Sequence, residues 1–293
     1  MEQVVGEDDA RGELGLARGG QADPGAVDQV LPAQEGDRHR AAFDPLEIEG
    51  FAVARDVRLG EALDEPGVDP LVGFLAIGLA VALPLVLVPA FIRDERPIGR
   101  PWYRTYWFKA NLYIAIFNVA ANYFGSEYFF DVLGMVYDYP MIDLNFDSAL
   151  VGSGEQRVPV VMYLLTQAYF LTYHTTAVIV LRRLRTSRLP IGAMLWPVVL
   201  VVVAYLWAWI ETKAMANPWI ESQFYYKEME RMLAYGSLFY ALYFVASFPI
   251  FFHLDEKRDA NWTLTATTAA ALSAGMIMMF LLDFAAALFG PLT

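Results

Sequence analysis

The stretch Trp107–Pro140, WFKANLYIAIFNVAANYFGSEYFFDVLGMVYDYP, is apolar enough to enter a bilayer, yet it sets Lys109, Asn111, Asn118, Asn122, Glu127 and Asp131 among its aromatics. In hydrocarbon an unpaired polar group is expensive, so these side chains are expected to face protein, a water-filled cavity or a polar ligand. The stretch therefore predicts a membrane bundle with a site inside it.

Composition supports that reading. Of 293 residues, 57% are hydrophobic and 15% aromatic, well above a soluble norm. The net charge of −12 is concentrated upstream, because Met1–Asp69 holds 17 acidic and 6 basic residues and the remainder 16 and 15. Residues 1–69 are rich in Gly, Asp, Glu, Ala and Arg and lack a sustained period, so a disordered acidic tail is expected there, followed by a membrane domain over 70–293. No signal peptide is read from the acidic start. With no cysteine, disulfides, thiolate metal sites and a cysteine nucleophile are excluded.

Leu71–Ile92 carries no charge and, at about 1.5 Å per residue, crosses a core of about 30 Å. Further spans are expected at Tyr106–Phe130, Pro159–Leu181, Pro190–Ile210, Leu233–Phe252 and Thr265–Phe289. The fold class is thus an all-α polytopic bundle of about six spans. Ten Lys and Arg residues fall in the connections Arg93–Arg104, Arg182–Arg188 and Lys257–Arg258, against four on the other side. The positive-inside rule places the Arg-rich end in the cytosol and the C-terminus on the outer or luminal side. Tryptophans 102, 107, 196, 209, 219 and 262 fall near span ends, as interfacial residues do.

Asn111, Asn118 and Asn122 share one face of the second span, either as helix-linking hydrogen-bonders or as a polar lining. Tyr163, Gln167 and His174 share a face of the third. His174 is either a buried hydrogen-bond partner or a proton acceptor, and no second histidine or carboxylate stands at ligand spacing, so no metal is expected. Trp207 precedes Glu211 by one turn in AYLWAWIETKAMAN, and Asp283 lies inside MIMMFLLDFAAALF. By the topology above, Glu127, Glu211 and Asp283 fall toward the outer half on three helices, and their convergence is the sharpest chemical expectation. The fifth span offers Gly236, Tyr240, Tyr243 and Ser247 on one face, either as packing or as a flat aromatic pocket able to stabilise a cation. Walker loops, GxSxG, HExxH and dinucleotide fingerprints are absent, and the arginine clusters mark orientation rather than nucleic acid.

The series YWFKANL, NYF, YFF and VLG, then YH before LRRLR at Tyr173–Arg185, AYLWAWIET, LFYALYFVASFPIFFHLDEK at Leu238–Lys257, Trp262, Leu264, Asp283 and Gly290-Pro291 resembles the cycloeucalenol cycloisomerase family. The resemblance runs from about Asp69 to the C-terminus. It implies a membrane isomerase of sterol biosynthesis that opens a 9,19-cyclopropane ring to an 8-ene, converting cycloeucalenol to obtusifoliol without cofactor. Ring opening needs an acid in a dry pocket and a base for the C8 proton. Glu211 or Asp283 is the expected acid and His174 or a tyrosine the acceptor, with Glu127 a further catalytic candidate. Asn118, Asn122, Tyr123, Gln167, Tyr173, Trp207, Tyr240 and Tyr243 are expected to contact a sterol drawn from the membrane lipid. A non-catalytic sterol binder or transporter, and a sterol double-bond isomerase, remain as alternatives. The substrate could equally be a related cyclosterol such as cycloartenol, and the membrane the endoplasmic reticulum or a bacterial inner membrane; oligomeric state is not legible.

Two departures stand out. Val151–Arg157 (VGSGEQR) reads as an insertion in the outer loop. Family members carry another apolar span before the one matching Leu71–Ile92, so residues 1–69 are also read as non-native sequence from a wrong start or a frameshift, with a seventh span lost.

Overall fold

Six helical crossings form the bundle of the computed structural model, which describes residues 69–91, 101–139, 141–255 and 261–291. The acidic tail expected over 1–69 lies outside the described residues, apart from Asp69. Helix α1 is Pro70–Phe91. The second crossing is composite: α2 (Tyr106–Ala120), a π-turn (Ala121–Gly125) and α3 (Ser126–Leu133). Then come α4 (Val160–Arg185), α5 (Trp196–Met215), a short α6 (Met229–Arg231) leading through a second π-turn (Met232–Gly236) into α7 (Ser237–Phe252), and α8 (Leu264–Phe289). Five of these crossings are long and apolar enough to span a membrane by themselves. The second is the polar one, and it is closed by neighbours rather than by lipid. The chain is an integral membrane protein of the all-α class.

Local chemistry sets the ends. Thr105 caps α2 by accepting from the Phe108 amide at 3.3 Å, and Thr263 caps α8 by accepting from Ala266 at 3.0 Å. Gly134, at φ 65°, ends α3 in the left-handed region. The fourth span does not start at Pro190 as expected. Pro190 and Gly192 hold the chain in turns, and α5 begins at Trp196 with Pro197 in its first turn, where its missing N–H costs nothing. The shift matters, because Glu211 is then one turn inside the helix rather than at its end.

Helix α7 packs on α5 and α8, α2 on α8 and α4, and α1 chiefly on α4, with a lighter contact to α2 where Trp107 Nε1 donates to the Val86 carbonyl at 2.6 Å. Close approaches use small residues: Ala271, Ala274 and Gly275 of α8 are buried, and Gly275 lies against Ala120. Leu83, Leu87, Val198, Val202, Phe280 and Phe284 are exposed on the outer faces, as lipid-facing side chains must be. At the Arg-rich end, Arg185 stands over the rings of Trp196 and Phe252 at 5.8 and 5.5 Å. At the opposite end, β1 (Met135–Tyr137) and β2 (Phe224–Tyr226) pair antiparallel, Met135 with Tyr226 and Tyr137 with Phe224. This two-stranded piece joins the loops after α3 and α5.

Candidate active site

A cavity of about 590 Å³, counting its open mouth, lies where the second crossing, α4, α5, α7 and the β1–β2 pair meet. Its apolar walls are Phe129, Met135, Met162, Phe170, Met215 and Phe224. Five tyrosines line it: Tyr137 and Tyr226 from the strands, Tyr169 from α4, and Tyr240 and Tyr243 from α7. Asn122, Ser126, Thr166, Thr212 and Glu211 supply the remaining polar groups.

Glu211 is the one acidic side chain in this lining. Tyr240 donates a hydrogen bond to its Oε2, and the Tyr173 hydroxyl stands beside the same carboxyl. Behind Tyr173 stands Trp207, stacked at 5.5 Å and 27°. The ring of Tyr240 is in turn wedged by Phe129 at 5.1 Å, Phe244 at 5.1 Å and Tyr243 at 5.4 Å. The carboxyl is thus held by the Tyr240 hydroxyl, with the Tyr173 hydroxyl beside it, and packing locks both rings. Burial pushes the hydroxyls of Tyr137 and Tyr226 above the usual tyrosine range, so both remain donors.

The π-turn sets the polar side of the cavity. Its extra residue lets the Ser126 amide reach back to the Ala121 carbonyl, and Asn122 and Ser126 both line the cavity. Gly125 accommodates the Tyr243 hydroxyl, which occupies the place a Cβ would take. Asn118 donates to the Tyr163 carbonyl at 2.7 Å and to Gln167 Oε1 at 3.4 Å, and Asn122 donates to Asn118 Oδ1 at 2.6 Å. The asparagine face is therefore a link between α2 and α4 that ends at the cavity in Asn122. Asn111, further down, bonds its own helix through the Trp107 carbonyl at 2.9 Å.

The three carboxylates expected to converge do not. Asp283 is exposed on the outside of α8, accepting from the Tyr128 hydroxyl at 3.1 Å, and it is not in the cavity lining. The register of α8 turns it outward beside Phe280 and Phe284. Glu127, past the π-turn, is not in the cavity lining and lies against Gly152 of the loop between β1 and α4. His174 does not line the cavity either: it is fully buried, its Nδ1–H donating to the Phe170 carbonyl at 2.7 Å and its Nε2 accepting from the Ser247 hydroxyl at 2.9 Å. Phe248 and Phe251 pack on its ring at 4.9 and 5.2 Å. Both nitrogens are used, which makes it a core histidine.

Of the expected sterol contacts, Asn122, Tyr240 and Tyr243 line the cavity, while Tyr173 and Trp207 back Glu211 from behind. Asn118 and Gln167 act through Asn122. Tyr123 instead packs on Phe146 of the outer loop at 4.8 Å. Tyr137, Tyr169, Tyr226, Ser126, Thr166 and Thr212 went unforeseen. The Tyr-rich strands FYY and MVY were the available signal, but three-residue strands carry no periodicity to read.

Glu127 is 1% exposed and neither oxygen has a well-formed hydrogen bond among the described residues, the Gly154 amide being the donor beside it. The nearby charges are mostly of its own sign, Asp131 and Asp147 against Arg157. Asp131 meanwhile pins the loop above it, accepting from the Ser153 amide at 2.8 Å and the Ser153 hydroxyl at 2.7 Å. A buried carboxylate without a well-formed hydrogen bond costs stability, on the order of 1 kcal/mol or more. Glu127→Gln is accordingly expected to raise the apparent unfolding midpoint in detergent by about 2–4 °C and to leave turnover unchanged. A lowered midpoint would show that the carboxylate has a role.

No family model and no solved structure matches the chain. A curated protein of Arabidopsis thaliana, cycloeucalenol cycloisomerase, is 36% identical over 227 residues, covering 75% of each chain.

Proposed function

The chain belongs to the cycloeucalenol cycloisomerase family and is an isomerase; on that premise we propose that it opens the 9,19-cyclopropane ring of cycloeucalenol, or of a closely related cyclosterol, to an 8-ene sterol, with Glu211 as the acid. One observation carries the reading: Glu211 is the one carboxyl lining the aromatic cavity, and Tyr240 holds it in place with Tyr173 alongside.

A cyclopropane is a very weak base, so the acid must be desolvated and aimed. The protonated Glu211 carboxyl delivers its proton to C19. The C9–C19 bond breaks, its electron pair becomes the new C19–H bond, and positive charge is left at C9. The faces of Phe129, Phe170, Tyr240 and Tyr243 favour that charge while the apolar walls exclude water. Loss of the C8 proton then forms the C8–C9 double bond. Tyr240 is placed to recover it: its oxygen accepts the C8 proton while its own proton passes to the Glu211 carboxylate. One proton enters and one leaves, and both residues return to their starting states.

The Arg-rich end is assigned to the cytosol, which puts the cavity and the C-terminus toward the outer or luminal side. The sterol enters from the bilayer, its tetracycle against the methionine and phenylalanine walls.

Membranes containing the protein are expected to convert cycloeucalenol in D2O to an 8-ene sterol carrying one deuterium in the C19 methyl, read by NMR and mass spectrometry. An 8-ene to 7-ene shift without ring opening, or sterol binding without product, would replace this reading.

A further inference from the structure

Asn122 stands at the end of a hydrogen-bond chain that has only one self-consistent polarity. Asn118 bonds the Tyr163 backbone carbonyl at 2.7 Å, and a carbonyl can only accept, so the atom facing it is Asn118 Nδ2. Asn118 Oδ1 is thereby turned the other way. The Asn122 atom 2.6 Å from that oxygen must be a donor, its Nδ2, which also meets the Asn118 carbonyl at 3.3 Å. The amide of Asn122 cannot flip without setting two oxygens against each other. Its Oδ1 is therefore held toward the cavity, where its partner among the described residues is the Thr166 hydroxyl at a long 3.4 Å. Asn122 is 4% exposed, and both it and Thr166 line the cavity.

Resting on the sterol-isomerase reading above, we propose that Asn122 Oδ1 is the acceptor that recognises the sterol 3-hydroxyl, and that Asn118 is a positioning residue that fixes its polarity. The site thus selects a 3-alcohol over a 3-ketone. An alcohol donates to Asn122 and accepts from Thr166. A ketone has no proton to give and sets its oxygen against Asn122 Oδ1, leaving Thr166 as the donor available to it. The polar end of the sterol is anchored on α2 and α4, and the acid approaches from α5, so head-group recognition and ring protonation come from separate elements.

The test compares a 9,19-cyclosterol with its 3-ketone by direct binding to the purified protein in nanodiscs, with turnover measured alongside. The wild type is expected to bind the alcohol about tenfold more tightly. Asn122→Ala removes most of that preference, and Asn118→Leu does so with Asn122 intact, because the freed amide can then flip. Thr166→Val widens the preference, since it takes away the ketone's donor. In turnover the Asn variants raise KM far more than they lower kcat. An alcohol preference unchanged in both Asn122→Ala and Asn118→Leu overturns the assignment, whatever the activity. Selective binding of the alcohol without ring opening keeps it and refutes the proposed reaction. Failure of either sterol to bind overturns both.

Discussion

Glu211→Gln is expected to lower ring-opening turnover by about 10²–10⁴-fold, the usual contribution of a positioned acid, while sterol binding stays close to wild type. The amide keeps the volume of the carboxyl and can still accept from Tyr240, so the cavity is preserved and the transferable proton is lost. Glu211→Asp keeps the proton but withdraws it by one methylene, and its activity is expected to fall between the two. Asp283→Asn is the matched control. Asp283 lies outside the cavity on α8, and an asparagine there can still accept from the Tyr128 hydroxyl, so most of the activity is retained. Each variant is checked by the rate of 8-ene formation in membranes and by binding of the cyclosterol. Normal turnover by Glu211→Gln would remove the carboxyl from the mechanism, and a loss at Asp283 equal to that at Glu211 would move the chemistry to the outer face of α8.

The spans were legible because twenty apolar residues have few other fates, and the placement of polar residues on one face of α2 followed from helical spacing alone. Less legible was the destination of each polar side chain. Sequence placed Glu127, Glu211 and Asp283 at similar depth, but depth does not give azimuth. A π-turn at Ala121–Gly125 changes the facing of everything after it, and nothing in ANYFG announces an extra residue per turn. The register of α8 is set by its contacts with α2 and α7, which a single chain read alone does not contain. His174 illustrates the converse. Its ring neighbours Phe170, Phe244, Phe248 and Phe251 come from two helices, and the hydrogen bond to Ser247 that uses its second nitrogen joins those helices and carries no local signature. The tyrosines of β1 and β2 were hidden for a similar reason: they reach the cavity because two loops pair with each other.

Lys109 is the buried cation of the opening stretch, and its substitution is expected to be strongly destabilising. It is 1% exposed and forms an ion pair with Asp255, itself 13% exposed. The same two residues close on Trp262 from both sides: Lys109 Nζ donates to its carbonyl at 3.3 Å, and its amide donates to Asp255 Oδ1 at 2.8 Å. One clamp thus ties the start of α2 to the end of α7 and the entry of α8, at the end of the bundle opposite the cavity. Asp255 holds a positive φ of 49° to reach it, a conformation that a non-glycine residue adopts only with compensation from its surroundings. Lys109→Met leaves the largely buried Asp255 carboxylate with the Trp262 amide as its donor among the described residues, which costs up to about 3–5 kcal/mol by comparison with other buried pairs broken on one side. Adding Asp255→Asn removes the orphaned charge and is expected to recover part of that loss, so the double variant is more stable than the sum of the two single ones. Unfolding in mild detergent, followed for all four proteins, gives the coupling directly. Because the clamp touches no cavity residue, KM for the sterol is expected to hold in whatever fraction of Lys109→Met remains folded, and additivity between the two substitutions would show that the pair contributes nothing to holding α7 and α8 together.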